Sequence, residues 1–108
     1  MTLAGFEEEV FRVALASPLC DLPVVRRFTE TAISLRVNLS SGGFIEAFHN
    51  ERTDTTAFAL IRDGRRVFGA DNTGGWHVHP FGGPDRHEHL AGAMAFEEFV
   101  AQIEGRAG

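Results

Sequence analysis

Hydrophobic and polar positions change their period twice along this chain. From Leu3 to about Ala16, Phe6, Val10, Val13 and Ala14 recur at helical spacing, while Glu7, Glu8 and Glu9 lie on the other side and near the positive end of the helix dipole. This pattern predicts an amphipathic helix. Pro18 and Pro23 then bracket a turn or irregular connection. Between Ile33 and Leu39 apolar and polar residues alternate, as in a half-buried strand. Ser40-Ser41-Gly42-Gly43 is a turn signal, and Phe44 to His49 reads as the returning strand. Thr55 to Ile61 forms a third strand, whose run Ala57-Phe58-Ala59-Leu60-Ile61 predicts burial on both faces. Asp63-Gly64 marks a tight hairpin into Arg66–Ala70.

Beyond Asp71 the pattern dissolves. Gly and Pro crowd the chain to Asp85, predicting an extended irregular segment with a short edge strand at Trp76–His79. Helical spacing returns from about Gly92 to Ile103, with Phe96, Phe99, Val100 and Ile103 as the apolar stripe and Gly105 as a stop. The expectation is one α+β domain over 1–108: an antiparallel sheet of about four to five strands, packed on one face by an N-terminal and a C-terminal helix.

Composition narrows the classes. The apolar fraction of 44% and ten Phe suit a packed globular core. Apolar runs are far too short to span a membrane, and the Glu7–Glu9 run is unlike a signal peptide, so no membrane partner and a cytoplasmic location are expected. Cys20, the one cysteine, excludes an internal disulfide and a multi-cysteine zinc site; it reads as a small packed residue. The net charge of −5 opposes nucleic-acid binding by bulk electrostatics. Yet Val24 to Leu90 carries eight Arg against eight Asp plus Glu, so the acid excess belongs to the terminal segments. No phosphate-cradling glycine loop is present, and no cofactor is expected.

Four of the five histidines fall in ADNTGGWHVHPFGGPDRHEHL. In an extended chain residues two apart share a side, which pairs His77 with His79 and His87 with His89. A turn around Gly82-Gly83-Pro84 can bring the two pairs together. They would then suit general acid–base chemistry near neutral pH, or bind a divalent metal with Asp71, Asp85 or Glu88 completing the shell. The identity of any metal is left open. The helical H-E-x-x-H pattern and the deaminase P-C-x-x-C are both missing. Gly75–Pro80 resembles part of the His-x-His-Pro motif of JAMM metalloproteases, but Leu90 stands where their Asp is expected. The bland alternative is that Trp76, Pro80 and Phe81 make this segment a packed wall with merely hydrogen-bonded histidines.

The order Asp71-Asn72, Trp76-His77-x-His79-Pro80, then Pro84 with His87 and His89, resembles the signature of the TumE-like proteins, small toxins of bacterial and archaeal toxin–antitoxin pairs. The likeness spans roughly Phe28 to Leu90 and includes FALIRDGRRVFGADN. That family sets two histidines side by side after its Asp-Asn, whereas here Val78 separates them, as in a related branch. The resemblance implies a short α+β fold and a neutralising antitoxin protein as partner. Because many such toxins cleave RNA, it extends to RNA as substrate: His77 or His79 would take the ribose 2′-OH proton, His87 or His89 would protonate the leaving oxygen, and Arg62 or Arg66 would steady the phosphate. Two other functions compete. A non-catalytic module would bind a partner or a second copy, as a homodimer, through exposed Trp76, Phe81 and the edge strand. A metal-binding protein would use the two His-x-His pairs.

Overall fold

The computed structural model describes residues 1–107. The architecture is α+β: helix α1 (Leu3–Ala16), strands β1 (Val24–Phe28), β2 (Ala32–Asn38), β3 (Phe44–Asn50), β4 (Thr55–Arg62), β5 (Arg65–Asp71), β6 (His77–His79) and β7 (Glu88–His89), then helix α2 (Phe96–Ala107). All seven strands join in chain order into one antiparallel sheet, β1 to β7. The four to five strands expected from the sequence were too few; β1 and β7 complete the sheet at its two edges.

Register decides what each face presents, because opposed residues of an antiparallel pair project to the same side. Leu35, Ala47, Phe58, Ala70, Val78 and Glu88 form one transverse row, and Val37, Ile45, Leu60 and Phe68 form the next. The apolar members of these rows join Phe6, Val10 and Val13 of α1 and Phe96, Phe99, Val100 and Ile103 of α2 in one core. Both helices therefore cover the same face. Phe58 is the hub, with its ring 6.3 Å from Phe6, 5.3 Å from Phe96 and 5.4 Å from Phe99.

Two expectations need correction. The β4 run is not buried on both faces: Phe58 and Leu60 are buried, whereas Ala57, Ala59 and Ile61 are only half-buried, because no layer covers the outer face there. The second helix begins at Phe96 rather than Gly92. Its start is fixed where the Ala95 N–H donates to Glu98 Oε1 at 3.3 Å, a reach-back across the first turn.

The N-terminus of α1 is tied to the end of the sheet. Thr2 Oγ1 accepts from the Gly5 N–H at 3.0 Å as an N-cap, and the Leu3 N–H donates to Glu51 Oε2 at 3.1 Å. His49, near the end of β3, is buried under α1 and stacks on Phe6 with centroids 5.2 Å apart. Its Nε2 meets the Met1 carbonyl at 2.9 Å and its Nδ1 meets Thr56 Oγ1 at 2.8 Å. A carbonyl only accepts, so Nε2 carries the proton and the Thr56 hydroxyl donates to Nδ1. This histidine is fully satisfied and structural.

Candidate active site

The outer face carries a different pair of rows. Ala57, Asp71, His77 and His89 align across β4 to β7, and Ala59, Gly69 and His79 align beside them. The functional side chains thus stand on the face away from the helices. Small residues make the floor: a Cβ at Gly69 would lie 3.0 Å from Arg66 Cδ and 3.5 Å from His79 Cδ2, so the glycine leaves room for both.

The loop between β6 and β7 supplies the roof. Phe81 anchors it, stacking on the core ring of Phe68 at 4.3 Å with the Arg106 guanidinium 4.2 Å from its centre on the other side. Two consecutive turns follow, closed by Gly83 N–H to Pro80 O at 3.2 Å and Arg86 N–H to Gly83 O at 2.9 Å. Gly82 has φ +77°, a backbone conformation that glycine adopts without strain. The chain returns over the outer face, and His87 closes on His77 and His79 with ring centroids 5.0 and 4.4 Å away. Together Ala57, Asp71, Thr73, His77, His79, His87 and His89 enclose a concavity of about 490 Å³. His77 and His79 are buried in its wall, while His87 and His89 are exposed at its mouth.

Asp71 is the vertex. Its Oδ2 lies 3.3 Å from Nε2 of both His77 and His79, and its Oδ1 accepts from the Thr73 N–H at 3.0 Å. Burial pushes this carboxyl up, but the Thr73 N–H, the His79 hydrogen bond and the His77 and His79 charges outweigh it, leaving Asp71 below the usual carboxylate range. One carboxylate oxygen thus closes a local turn and the other organises the imidazoles.

The two buried rings hold different tautomers. Nδ1 of His77 sits 3.0 Å from the Gly75 carbonyl and must donate to it. In the neutral ring Nε2 is therefore unprotonated, and its lone pair opens on the cleft. Nδ1 of His79 receives an Arg66 guanidinium N–H at 3.3 Å, so its proton resides on Nε2, which donates to Asp71. One imidazole is a fixed donor and its neighbour an open acceptor. The Gly75 carbonyl, which decides this, is backbone and leaves no mark in the sequence pattern.

The remaining candidates divide clearly. Arg66 reaches the site because the β4–β5 register shifts where Leu60 and Ile61 face Phe68 and Arg66, leaving Val67 as the extra residue of a bulge. Its guanidinium also donates to the Pro84 carbonyl at 3.1 Å, tying the loop to the sheet. Arg62 does not join: it donates to the Gly42 carbonyl at 3.3 Å and lines a separate depression with Phe81, Ile103 and Arg106. Glu88 pairs with Val78 in the helix-side row, so it cannot complete a shell with the histidines. Asp85 is exposed on the loop and does not line the concavity. Trp76 and Phe81 are not exposed docking residues; both are partly buried against the core. Cys20 is half-buried, and burial pushes its thiol up, as suits a packed residue rather than a nucleophile.

Asp71 makes a pH prediction. Its lowered value in the folded state means that its contribution is fully present above the unfolded carboxyl value of about 3.9 and disappears as pH falls through the folded one. Asp71→Asn is expected to lower stability by about 1–2 kcal/mol at neutral pH, the size of a hydrogen bond to a charged group in a partly exposed place. That gap should close below about pH 4, which urea melts of the two proteins at several pH values would measure.

Comparison with family models, curated proteins and solved structures returns no match. None of the described helices is long and apolar enough to cross a membrane.

Proposed function

We propose that this chain is a toxin-like protein of a toxin–antitoxin module, related in kind to the TumE-like proteins, and that its cleft cleaves RNA by histidine acid–base chemistry. The observation that carries this reading is the convergence of three imidazoles in an open concavity, with ring nitrogens of His77, His79 and His87 within 4.8 Å of one another and the first two 3.3 Å from the carboxylate of Asp71. His77 Nε2 takes the proton of a ribose 2′-OH, since its lone pair faces the cleft. The freed oxygen attacks the adjacent phosphorus and the 5′-oxygen departs with a proton from His87. His79 and Asp71 hold the His77 ring in place, and Arg66, 3.3 Å from His79, supplies positive charge for the phosphorane oxygens. Cytoplasmic action and an antitoxin that covers the cleft or its surroundings belong to the same proposal.

The chemistry prescribes its products. Purified protein should cut RNA in the presence of EDTA and leave 2′,3′-cyclic phosphate and 5′-hydroxyl ends, while an oligonucleotide with 2′-deoxyribose at the cleaved position stays whole. Intact RNA, or 5′-phosphate ends, would overturn the mechanism.

One observation favours a second reading, an interaction module. Every residue of β1 is exposed, with Val24 at 49% and Phe28 at 65%, and the strand is an open sheet edge. Pairing two copies of β1 would bring Arg26 and Arg27 against their own kind, a like-charge arrangement that costs stability. The edge suits an acidic extended segment of a partner better than a second copy.

A further inference from the structure

The orientation of two atoms in the cleft has a consequence beyond proton transfer. With Nδ1–H of His77 committed to the Gly75 carbonyl, its Nε2 is free to ligate and lies 3.3 Å from Asp71 Oδ2. A cation between the two atoms, a proton or a metal ion, satisfies both of them. Asp71 Oδ2 stands the same 3.3 Å from His79 Nε2. A tetrahedral centre with metal–ligand bonds of about 2.0–2.1 Å has edges of about 3.3–3.4 Å between its ligand atoms. The Asp71–His77 and Asp71–His79 separations already match such edges. His87 completes the set, its ligand nitrogen within 4.8 Å of those of His77 and His79, on an exposed loop position that can close the remaining distance.

We infer that His77, His79, His87 and Asp71 form a binding site for a borderline divalent transition-metal ion of the zinc type, and that the ion switches the cleft off. Three imidazole nitrogens and one carboxylate oxygen select zinc, nickel or copper over magnesium and calcium, which prefer all-oxygen shells. The Gly75 carbonyl behind His77 is the outer partner that commonly orients a ligating imidazole. Arg66 opposes the ion. Its N–H occupies Nδ1 of His79, the position to which the His79 proton must move when Nε2 ligates, so the arginine contact and the metal compete. Bound metal takes the His77 lone pair that abstracts the ribose proton. Inhibition therefore rests on the acid–base reading, whereas metal binding itself does not.

The test uses the full chain without an affinity tag, stripped with EDTA and dialysed, and titrated calorimetrically with zinc chloride alone. One zinc per chain is expected, and cobalt(II) should give the intense visible bands of a four-coordinate site. His77→Ala and Asp71→Ala should each weaken zinc by about 100-fold, and Arg66→Ala should tighten it by about 10-fold. Glu88→Ala, on the opposite face, should change neither binding nor fold. Circular dichroism separates loss of the site from loss of the fold, and His77→Gln serves if the alanine variant unfolds. No zinc uptake, or uptake indifferent to His77 and Asp71, overturns the site. Zinc that binds but leaves RNA cleavage unchanged or accelerates it overturns the switch alone, and RNA left whole by the metal-free protein overturns the acid–base reading while the metal site stands.

Discussion

Replacing His77 and His79 together should reduce RNA cleavage by about 10³-fold or more and remove toxicity to the host on induction, the general acid–base contribution being of order 10²–10⁴. The double variant strikes both halves of the buried pair: the open acceptor nitrogen of His77 and the His79–Asp71 hydrogen bond that steadies it. Both rings are in the wall of the cleft, 7% and 4% exposed, so truncation to alanine also leaves space and strips Asp71 of its partners. His→Gln at both positions keeps most of the volume while removing the titrating ring. Glutamine variants that fold, measured by circular dichroism, yet neither cleave nor poison are the expected result. Full toxicity in such a folded variant would refute the acid–base centre. His89 provides the contrast: it sits at the mouth with its ring 6.3 Å from His77, outside the tight group of three, and its loss should cost much less.

The largest expected effect on stability belongs to Phe58. Its ring is 4% exposed and meets Phe6, Phe96 and Phe99 on the helix side, with Trp76 6.3 Å away. Phe58→Ala should cost about 3–5 kcal/mol, as truncated buried aromatics do, because the rings around it, from α1, α2 and Trp76, cannot all collapse into the gap. For a domain of ordinary stability, about 5–15 kcal/mol, this removes a large share. The effect should reach the cleft as well. Trp76 directly precedes His77, so loosening the indole against Phe58 frees the start of β6. Urea unfolding followed by fluorescence of the one tryptophan reads both consequences. A midpoint change worth less than about 1 kcal/mol would show that the aromatic hub does not hold the layers together.

The elements readable in the sequence are those that bury one face. Leu3–Ala16 shows its helical stripe, and β2 to β5 show alternation or a tight Asp-Gly turn, because a one-sided core imposes a period on the residues that line it. β1 escaped for the converse reason. Val24-Val25-Arg26-Arg27-Phe28 is exposed throughout, so neither face imposes a pattern. β7 is two residues long, too short for any period. At α2 the misplaced start traces to Ala93-Met94-Ala95, good helix formers in sequence, although the first turn is set by Glu98 reaching back to Ala95.

The site was legible in kind and not in arrangement. Spacing placed His77 with His79 and His87 with His89, a local property of extended chain. Their meeting depends on two turns in succession, the Phe81 anchor against Phe68 and the His77–His89 register, which involve residues distant from any one pair. Arg62 and Arg66 looked equivalent beside the hairpin. The bulge at Val67 sends one to His79 and leaves the other beside Gly42 and Phe81. Glu88 looked like a ligand between two histidines, yet strand alternation turns it to the helix side.

Everything proposed for the cleft depends on the rings of His77, His79 and His87 facing one another, with Asp71 against the first two. Nuclear magnetic resonance of selectively labelled histidine measures this directly, through cross-relaxation between ring protons and long-range nitrogen–proton correlations that assign the tautomers. The expected spectrum has ring-to-ring contacts from His87 to both His77 and His79, with His77 protonated on Nδ1 and His79 on Nε2 in their neutral forms. Rings without mutual contacts, or His77 protonated on Nε2 instead, would contradict it.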